Sequence, residues 1–375
     1  MKFVSAAACV TAALAALSSG LAAGGSSAWA ADPGPAVGVG QTAKVLAGLA
    51  TDDIANEVGE DKTLAKFAKV AVAKWALYQK NIGGPMARWA TAELARTPGE
   101  TVFYPFAGPD LPTAVALYPD AGRYVLVALQ TGGRVPHLDA MTKKQLDAYL
   151  GLFERGWIDF ARRGFFRTDD LKADTGHDRT LEGITPVLMA FAAASGFTVE
   201  TVEPVRIKAD GSDLEPNPAS KDELGTWDSV RLGLRRADGK AVTLDYVFLD
   251  LSDGYLGKHA EAKAWVNHMA SNRVFTKAAS HLMQKSFFSI VKDALVTHAP
   301  SIVQDETGLD YKDLVKGFDV VLYGRFERAH KLWTEGVQRE LATAYKTRTD
   351  LKPLKFKYGY EKDAGSCIQV ATRKK

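Results

Sequence analysis

The sequence has 375 residues, of which 46% are hydrophobic and 24% charged, and its formal net charge is +3 at pH 7. This composition is typical of a globular protein and excludes the disordered, collagen-like and coiled-coil classes. The near balance of charge gives no long-range attraction to nucleic acid, so no nucleic-acid partner is expected. Two cysteines cannot make a disulfide-dense scaffold.

The first thirty residues have the pattern of a secretory signal peptide. Lys2 precedes a mostly apolar run over residues 3–17, and small residues follow that end in Ala28-Trp29-Ala30, an A-x-A cleavage pattern. The apolar run is too short to cross a membrane, which takes about 20 residues. We therefore predict cleavage after Ala30 and an exported protein, periplasmic or secreted, that is not an integral membrane protein.

Residues 31–42 are expected to form a linker, since prolines and glycines are frequent there. The remainder, 43–375, is predicted to fold as a single mixed α/β domain, because no internal repeat or second linker divides it. Its first part, 43–97, has apolar side chains at helical spacings of three and four. It is predicted to be helical, with a break at Gly83-Gly84-Pro85.

Strands are predicted after this helical region. Residues 101–104 are predicted to form a short strand, and 123–129 is a nearly continuous apolar run, which is typical of a strand buried on both faces. The turn between them, 105–110, reads Pro-Phe-Ala-Gly-Pro-Asp. Farther along, Thr142 and Gln145 have the spacing of a capping box that opens an amphipathic helix.

Alternating apolar residues over 230–234 and 242–248 predict a β-hairpin. A two-residue turn at Asp238-Gly239 would place the two apolar sets on opposite faces. A three-residue loop with a left-handed Gly239 places them on one face, and we therefore expect the longer loop.

The last third alternates helix and strand. Helices are predicted over 258–298, with one break, and over 327–347, with a strand over 320–323 and a closing hairpin of 354–360 against 368–370. Strands that alternate with helices, together with antiparallel hairpins, predict an α/β or α+β fold. Its sheet is expected to be mixed, with antiparallel hairpins and a cover of helices.

One sequence block, residues 102–110, reads VFYPFAGPD. Shorter blocks lie at 118–121, 124–127, 183–186, 304–309, 322–324 and 356–360. In these blocks, over roughly residues 60–375, the chain resembles a family of uncharacterised exported bacterial proteins with a YPFxGPD-type motif. The resemblance implies export and a shared fold but no activity. The family usually has a small hydroxyl residue where this chain has Ala107, which speaks against an essential serine nucleophile at that position.

The turn 105–110 follows a strand and precedes a helix, as the phosphate-binding turn does in Rossmann-type or methyltransferase-like sheets. It has one glycine, however, instead of the spaced glycines of a dinucleotide fingerprint. Pro109 lacks an N–H donor, and Gln130 stands where a ribose-binding carboxylate would be expected. No cofactor is therefore expected.

Carboxylates and the turn supply the candidate site residues. The candidate ligand-binding residues are Tyr104, Phe106, Gly108 and Asp110. The candidate catalytic residues are Asp110, Asp305 and Glu306, because carboxylates can divide acid and base roles or coordinate a cation. The alternative for 305–306 is a helix N-cap in a solvated turn. The seven histidines lack H-x-H and H-E-x-x-H spacing, so no metal site is predicted.

Two functions remain open at this stage. The preferred one is a non-catalytic envelope protein that binds a small ligand or a partner in a cleft beside Asp110. The alternative is a carboxylate-based hydrolase or transferase-like enzyme with a Rossmann- or methyltransferase-like core, with or without a divalent cation. Cys367 lies in an alternating stretch and is predicted to be a packed strand thiol and not a nucleophile.

Overall fold

The structure is a computed structural model, and it describes residues 38–49, 62–164, 183–217, 227–278, 281–328, 338–358 and 366–375. The predicted signal peptide and most of the predicted linker lie outside these ranges, so the division into signal peptide, linker and single domain stays a prediction. The first helix nevertheless begins at Val39, inside the predicted linker.

Helices and strands alternate through the middle of the chain. The helices are α1 (Val39–Leu46), α2 (Lys62–Tyr78), α3 (Gly84–Glu93), α4 (Leu111–Leu117), α5 (Lys143–Arg163), α6 (Thr185–Ala194), α7 (Asp253–Leu256), α8 (Ala260–Ala270), α9 (Ser289–His298), α10 (Tyr311–Gly317) and α11 (Arg339–Thr347). The strands are β1 (Thr101–Tyr104), β2 (Arg123–Ala128), β3 (Thr198–Ile207), β4 (Leu214–Pro216), β5 (Ser229–Arg235), β6 (Ala241–Phe248), β7 (Arg273–Thr276), β8 (Ser301–Gln304), β9 (Phe318–Gly324) and β10 (Cys367–Arg373). None of these described helices is both long and apolar enough to cross a membrane.

The described strands form one mixed sheet in the order β4-β3-β5-β6-β2-β1-β7-β8-β10-β9. Strands β6, β2, β1, β7 and β8 run parallel to one another. Strand β10 runs antiparallel between β8 and β9, and β3, β5 and β6 form antiparallel pairs. The predicted fold class, a mixed sheet with antiparallel hairpins covered by helices, is confirmed.

The order of the parallel strands reverses beside β1. The chain passes from β1 through α4 to β2 on one side, whereas β7 lies on the other side of β1. The carboxyl ends of β1 and β7 therefore flank a topological switch point. In open α/β sheets, ligands bind in the crevice at such a point.

Helices cover both faces of the sheet and enclose two apolar cores. One core contains side chains of α1–α6 and includes Tyr78, Tyr104 and Phe160. The other contains side chains of α7–α11 and includes Trp265 and Phe318. Because both faces are covered, the central parallel strands are buried on both sides, as their continuous apolar sequences predict.

Two local predictions are confirmed in detail. The backbone N–H of Thr142 donates to Gln145 Oε1 and that of Gln145 to Thr142 Oγ1, which is the predicted capping box. In the β5–β6 hairpin, Leu232 pairs with Leu244, so the two apolar sets share a face. Gly239 closes the three-residue loop at a φ of 82°, the left-handed region that glycine adopts without a steric penalty.

The predicted break at 83–85 is wrong. A π-helical turn, Gln79–Gly83, joins α2 to α3, and the backbone of Gly83 and Gly84 stays in the right-handed helical region. A Cβ on Gly83 would lie 2.7 Å from the Tyr78 ring, so the glycine is needed for this close approach and not for a chain reversal. Pro85 lies at the start of α3, directly after the π-helical turn, where the fixed φ of proline is compatible with the helix.

The helical segment predicted over 258–298 is wrong in its middle, where β7 lies between α8 and α9. The four residues of β7 are too few to show a periodicity of their own, and they pair with β1 on one side and β8 on the other. Tertiary pairing therefore decides the conformation of a segment whose neighbours are helical.

The predicted closing hairpin is also wrong. Strand β10 pairs with β8 and β9, with Gln369 opposite Gln304 and Cys367 opposite Gly324. The described part of 354–360 forms no strand, and Tyr360 lies outside the described residues.

Candidate functional site

Loops that follow three neighbouring parallel strands bring charged side chains together at the switch point. Asp110 follows β1, Lys277 follows β7 and Asp305 follows β8. All three are at most 5% exposed. With the side chains around them they form the switch-point cluster, which consists of Tyr104, Asp110, Thr113, Lys277, Asp305 and Tyr358.

The carboxylate of Asp110 is held by three neighbours. The Tyr104 hydroxyl donates to Oδ2 at 3.0 Å, and the Thr113 hydroxyl donates to Oδ1 at 2.7 Å. Lys277 Nζ lies 3.5 Å from Oδ2. Burial raises the pKa of Asp110 above its ordinary value, while the ammonium group and the two hydroxyls oppose that shift.

The ammonium group of Lys277 has further support. Its Nζ donates to the carbonyl oxygen of Gly164 at 3.3 Å, directly after the last residue of α5, and lies 5.0 Å from the ring centroid of Tyr358. The C-terminal end of a helix carries partial negative charge, and the face of a tyrosine ring also attracts cations. The site is therefore built to hold a positive charge out of water.

Asp305 is oriented by the loop that contains it. The backbone N–H of Thr307 donates to Asp305 Oδ1 at 2.9 Å, and the Thr307 hydroxyl donates to the same oxygen. That hydroxyl oxygen in turn accepts from the N–H of Ala278 at 2.8 Å, so the loops after β7 and β8 are tied together. Burial raises the pKa of Asp305.

Glu306 contacts a different set of groups. The thiol of Cys367 donates to Glu306 Oε2 at 3.2 Å, and Gln338 Nε2 donates to the Glu306 backbone carbonyl at 2.6 Å. Burial, with the nearby charge of Asp305, raises the pKa of Glu306 to about 8. Burial also raises the pKa of Cys367 well above its usual value, so the thiol stays protonated.

Several polar atoms here are buried without a hydrogen-bond partner in the described part of the chain. They are Asp305 Oδ2, Glu306 Oε1, Gln369 Oε1 and the Tyr358 hydroxyl. Burial and the charges of Asp305, Asp110 and Glu306 raise the pKa of Tyr358 well above its ordinary value. An unsatisfied buried polar group is destabilising by about 1–3 kcal/mol, so unpartnered carboxylate oxygens in particular call for an explanation.

The loops after β1 and β7 also contain strained backbone. Among the described residues, the non-glycine residues with positive φ are Phe106, at 61°, and His281, at 52°. One lies in each of the two loops that flank the switch point. Left-handed conformations cost non-glycine residues about 1–3 kcal/mol and are frequent at functional sites. The strained residues therefore lie in the same loops as the buried charged side chains.

The structure brings most of the predicted site residues together. Tyr104 and Asp110 belong to the switch-point cluster with Asp305, and Glu306 directly follows. The alternative of a solvated turn at 305–306 is wrong, because both side chains are 1% exposed. Phe106 instead packs its ring against Phe288, at the rim of the other apolar core.

Gly108 lies in the turn at a φ of 57°, and a Cβ there would meet no atom within 4 Å. The turn uses part of its own hydrogen-bonding capacity, since Ala107 N–H donates to Val127 O and Asp110 N–H to Ala107 O. This arrangement does not favour an anion cradle. Within the described residues, no group of three or more histidine, cysteine or acidic side chains is placed to hold a metal ion.

Sequence reasoning missed Lys277, Thr113 and Tyr358. The helix predicted over 258–298 includes β7, so the sequence does not place Lys277 at the end of a strand. The available signal is the Val-Phe-Thr run before Lys277, since β-branched and aromatic residues are typical of strands. Tyr358 was assigned to a hairpin. Its backbone N–H donates to Ser366 Oγ at 3.0 Å, a contact that positions it beside the start of β10.

Replacing Lys277 by Met should lower the free energy of unfolding by about 3–5 kcal/mol, because Asp110 is then buried without its charged partner. Adding Asp110→Asn should recover most of this loss, since the pair is removed as a unit. Urea unfolding measures both effects. Lys316→Met, which breaks an exposed pair with Asp313, is the control and should cost less than about 1 kcal/mol. Equal stability of the single and double variants would contradict the coupling.

The raised pKa of Glu306 predicts stability that declines as pH rises. The unfolded protein ionises this carboxyl near its ordinary pKa of 4.5, whereas the folded protein does so at about 8. The stabilisation is therefore complete below about pH 4.5 and is lost as pH rises through about 8. We expect Glu306→Gln to flatten this decline in unfolding experiments between about pH 5 and 9, and exposed Glu340→Gln to leave it unchanged. Parallel curves for wild type and Glu306→Gln would refute the assignment.

Comparison of the chain with protein-family models, with curated proteins and with solved structures finds no match. The functional argument therefore depends on the geometry of the switch-point cluster.

Proposed function

We propose that the protein is exported and binds a small polar ligand at the switch-point cluster without transforming it. The observation that supports this proposal is the set of buried polar atoms without partners, on Asp305, Glu306 and Tyr358, at the carboxyl ends of parallel strands. A ligand that hydrogen-bonds to these atoms would replace the water that folding removed from them. Because the cluster is at most 5% exposed, it suits a small molecule better than a protein partner.

The chemistry of the side chains favours binding over nucleophilic catalysis. Asp110 and Lys277 face each other as an ion pair, which offsets the charge of both. The raised pKa of Cys367 keeps its thiol in the unreactive, protonated form. The resemblance to an exported family is consistent with this function, and membership in that family stays a prediction.

A second candidate is an acid–base enzyme that uses Asp110, Asp305 and Glu306, on a Rossmann- or methyltransferase-like core. Its supporting observation is the raised pKa of Glu306, since a carboxyl that keeps its proton near neutral pH can act as a general acid. The version of this candidate that needs a divalent cation has no support from the described side chains.

A thermal-unfolding screen tests ligand binding. The purified protein is heated with classes of small polar compounds: amino acids, amines, monosaccharides, nucleosides and dicarboxylates. A ligand at 100 times its Kd stabilises the folded state by about 2.7 kcal/mol, which raises Tm by several degrees in a protein of this size. We expect at least one class to raise Tm in wild type and in Asp313→Asn but not in Asp305→Asn.

The screen also separates the candidates. Hits that are recovered chemically unchanged after incubation support binding. Chemical conversion of a compound by the wild type, and no conversion by Glu306→Gln, would favour the acid–base enzyme. A Tm that no class shifts by more than about one degree would contradict the proposed function.

Export is tested separately by the mass of the protein recovered from the cell envelope or the medium. We expect Ala31 to be its first residue, because the A-x-A pattern ends at Ala30. Ala30→Phe should block cleavage, since the cleavage site requires a small residue, while Ala36→Phe should have no effect. Recovery of the chain only in the cytoplasm, with Met1 intact, would refute export.

A further inference from the structure

The acidic groups at the switch point outnumber the basic group that faces them. Asp110, Asp305 and Glu306 are each at most 3% exposed, and Lys277 is the buried ammonium group that the cluster contains. Lys277 is already engaged by Asp110 Oδ2 and by Gly164 O. The remaining carboxylates accept hydrogen bonds from neutral donors, Thr307 for Asp305 and Cys367 for Glu306.

The unpartnered atoms point to a ligand that donates hydrogen bonds. Asp305 Oδ2 and Glu306 Oε1 are acceptors when these side chains are ionised, and Gln369 Oε1 is an acceptor in any state. The Tyr358 hydroxyl is a second, independent observation at this site. It belongs to a residue that is 3% exposed, it is unpartnered in the described residues, and the Tyr358 ring centroid lies 5.0 Å from Lys277 Nζ, which pairs with Asp110. The Tyr358 hydroxyl can donate or accept, whereas the ionised Asp305 Oδ2 and the amide Gln369 Oε1 only accept, and a cationic donor also offsets the charge of Asp305.

The rings of Tyr358 and Tyr104 also favour a positively charged ligand at this site. The ring of Tyr358 already has an ammonium group 5.0 Å from its centroid, which shows that this ring face accepts cations in a desolvated setting. The Tyr104 ring lies beside the same carboxylates, and its hydroxyl is held by Asp110. A carboxylate next to tyrosine rings is a chemical environment suited to organic ammonium groups.

We propose that the ligand of the switch-point cluster is a small organic cation with a primary ammonium group, which donates to Asp305 Oδ2 and lies beside Tyr358. This inference rests on the proposed binding function and names its ligand class. Because the cluster residues are at most 5% exposed, we expect the cation to be small, and a two-carbon amine is expected to bind with a millimolar Kd.

Binding of a cation should release a proton. The titratable groups around Asp305 are Lys277 after β7, Tyr104 on β1, Cys367 on β10, and Asp110, Glu306 and Tyr358. The pKa values of the two tyrosines and the thiol are raised well above their ordinary values, so these groups stay neutral between pH 6 and 8. Burial raises the pKa of Asp305 and raises that of Glu306 to about 8, so a cation that binds beside these carboxylates competes with protons for them.

The probe is ethylammonium chloride at up to about 50 mM, with sodium chloride as the ionic-strength control and ethanol as the neutral analogue. We expect ethylammonium to raise Tm more than either control. The apparent affinity should increase from pH 6 to pH 8, because protons compete less with the cation as the carboxyls of raised pKa ionise. Asp305→Asn should abolish the shift, and Asp313→Asn should retain it.

If Asp305→Asn does not fold, Tyr358→Phe removes only the unpartnered hydroxyl and should weaken the shift. Three results would overturn the proposal of a cationic ligand. They are a Tm shift with ethylammonium equal to that with sodium chloride, a Tm shift that Asp305→Asn retains, and tighter binding at pH 6 than at pH 8. If another class binds in an Asp305-dependent way while ethylammonium does not, only the ligand class is wrong. If no class binds at all, the proposed function fails with it.

Discussion

The burial of one ammonium group among carboxylates is the constraint on which the rest of this site depends. Removing ions from water costs several kcal/mol per ion, so a buried Lys277 requires partners in fixed positions. Asp110 from the loop after β1, the carbonyl of Gly164 after α5, and the Tyr358 ring supply them. Segments far apart in sequence are thereby held at one edge of the sheet.

The same edge combines features that do not favour stability. Among the described residues, the buried carboxylate oxygens without a partner are those of Asp305 and Glu306, and left-handed backbone lies at Phe106 and His281 in the loops around the switch point. The unpartnered groups in the two cores are neutral, such as the Tyr78 hydroxyl and the Trp265 N–H. A fold selected for stability alone would satisfy these groups or replace them with apolar residues. Their concentration at the ends of parallel strands is most simply explained by a functional requirement at that edge.

Sequence reasoning predicted the parts of this structure that local chemistry determines. The capping box at Thr142 and the register of the β5–β6 hairpin follow from short-range hydrogen bonding and alternation, and both are confirmed. It failed where non-local pairing decides, since β7 and β10 take their places between strands that are distant in sequence. The sequence indicates Asp110 and Asp305 because carboxylates that follow predicted strands are candidate site residues. It does not indicate Lys277, because β7, the strand before it, is not predicted.

The position of β10 has a consequence for the order of folding. Strand β10 lies between β8 and β9, and its Gln369 side chain donates to the Asp305 carbonyl. The neighbouring strands β1, β7 and β8 are likewise separated by long stretches of chain, so closing this sheet brings distant segments together at a high entropic cost, and such topologies fold slowly. A chain that remains open until its late segments are available is well matched to a route that carries unfolded polypeptide across a membrane. Slow assembly of the sheet is therefore compatible with the export that we propose.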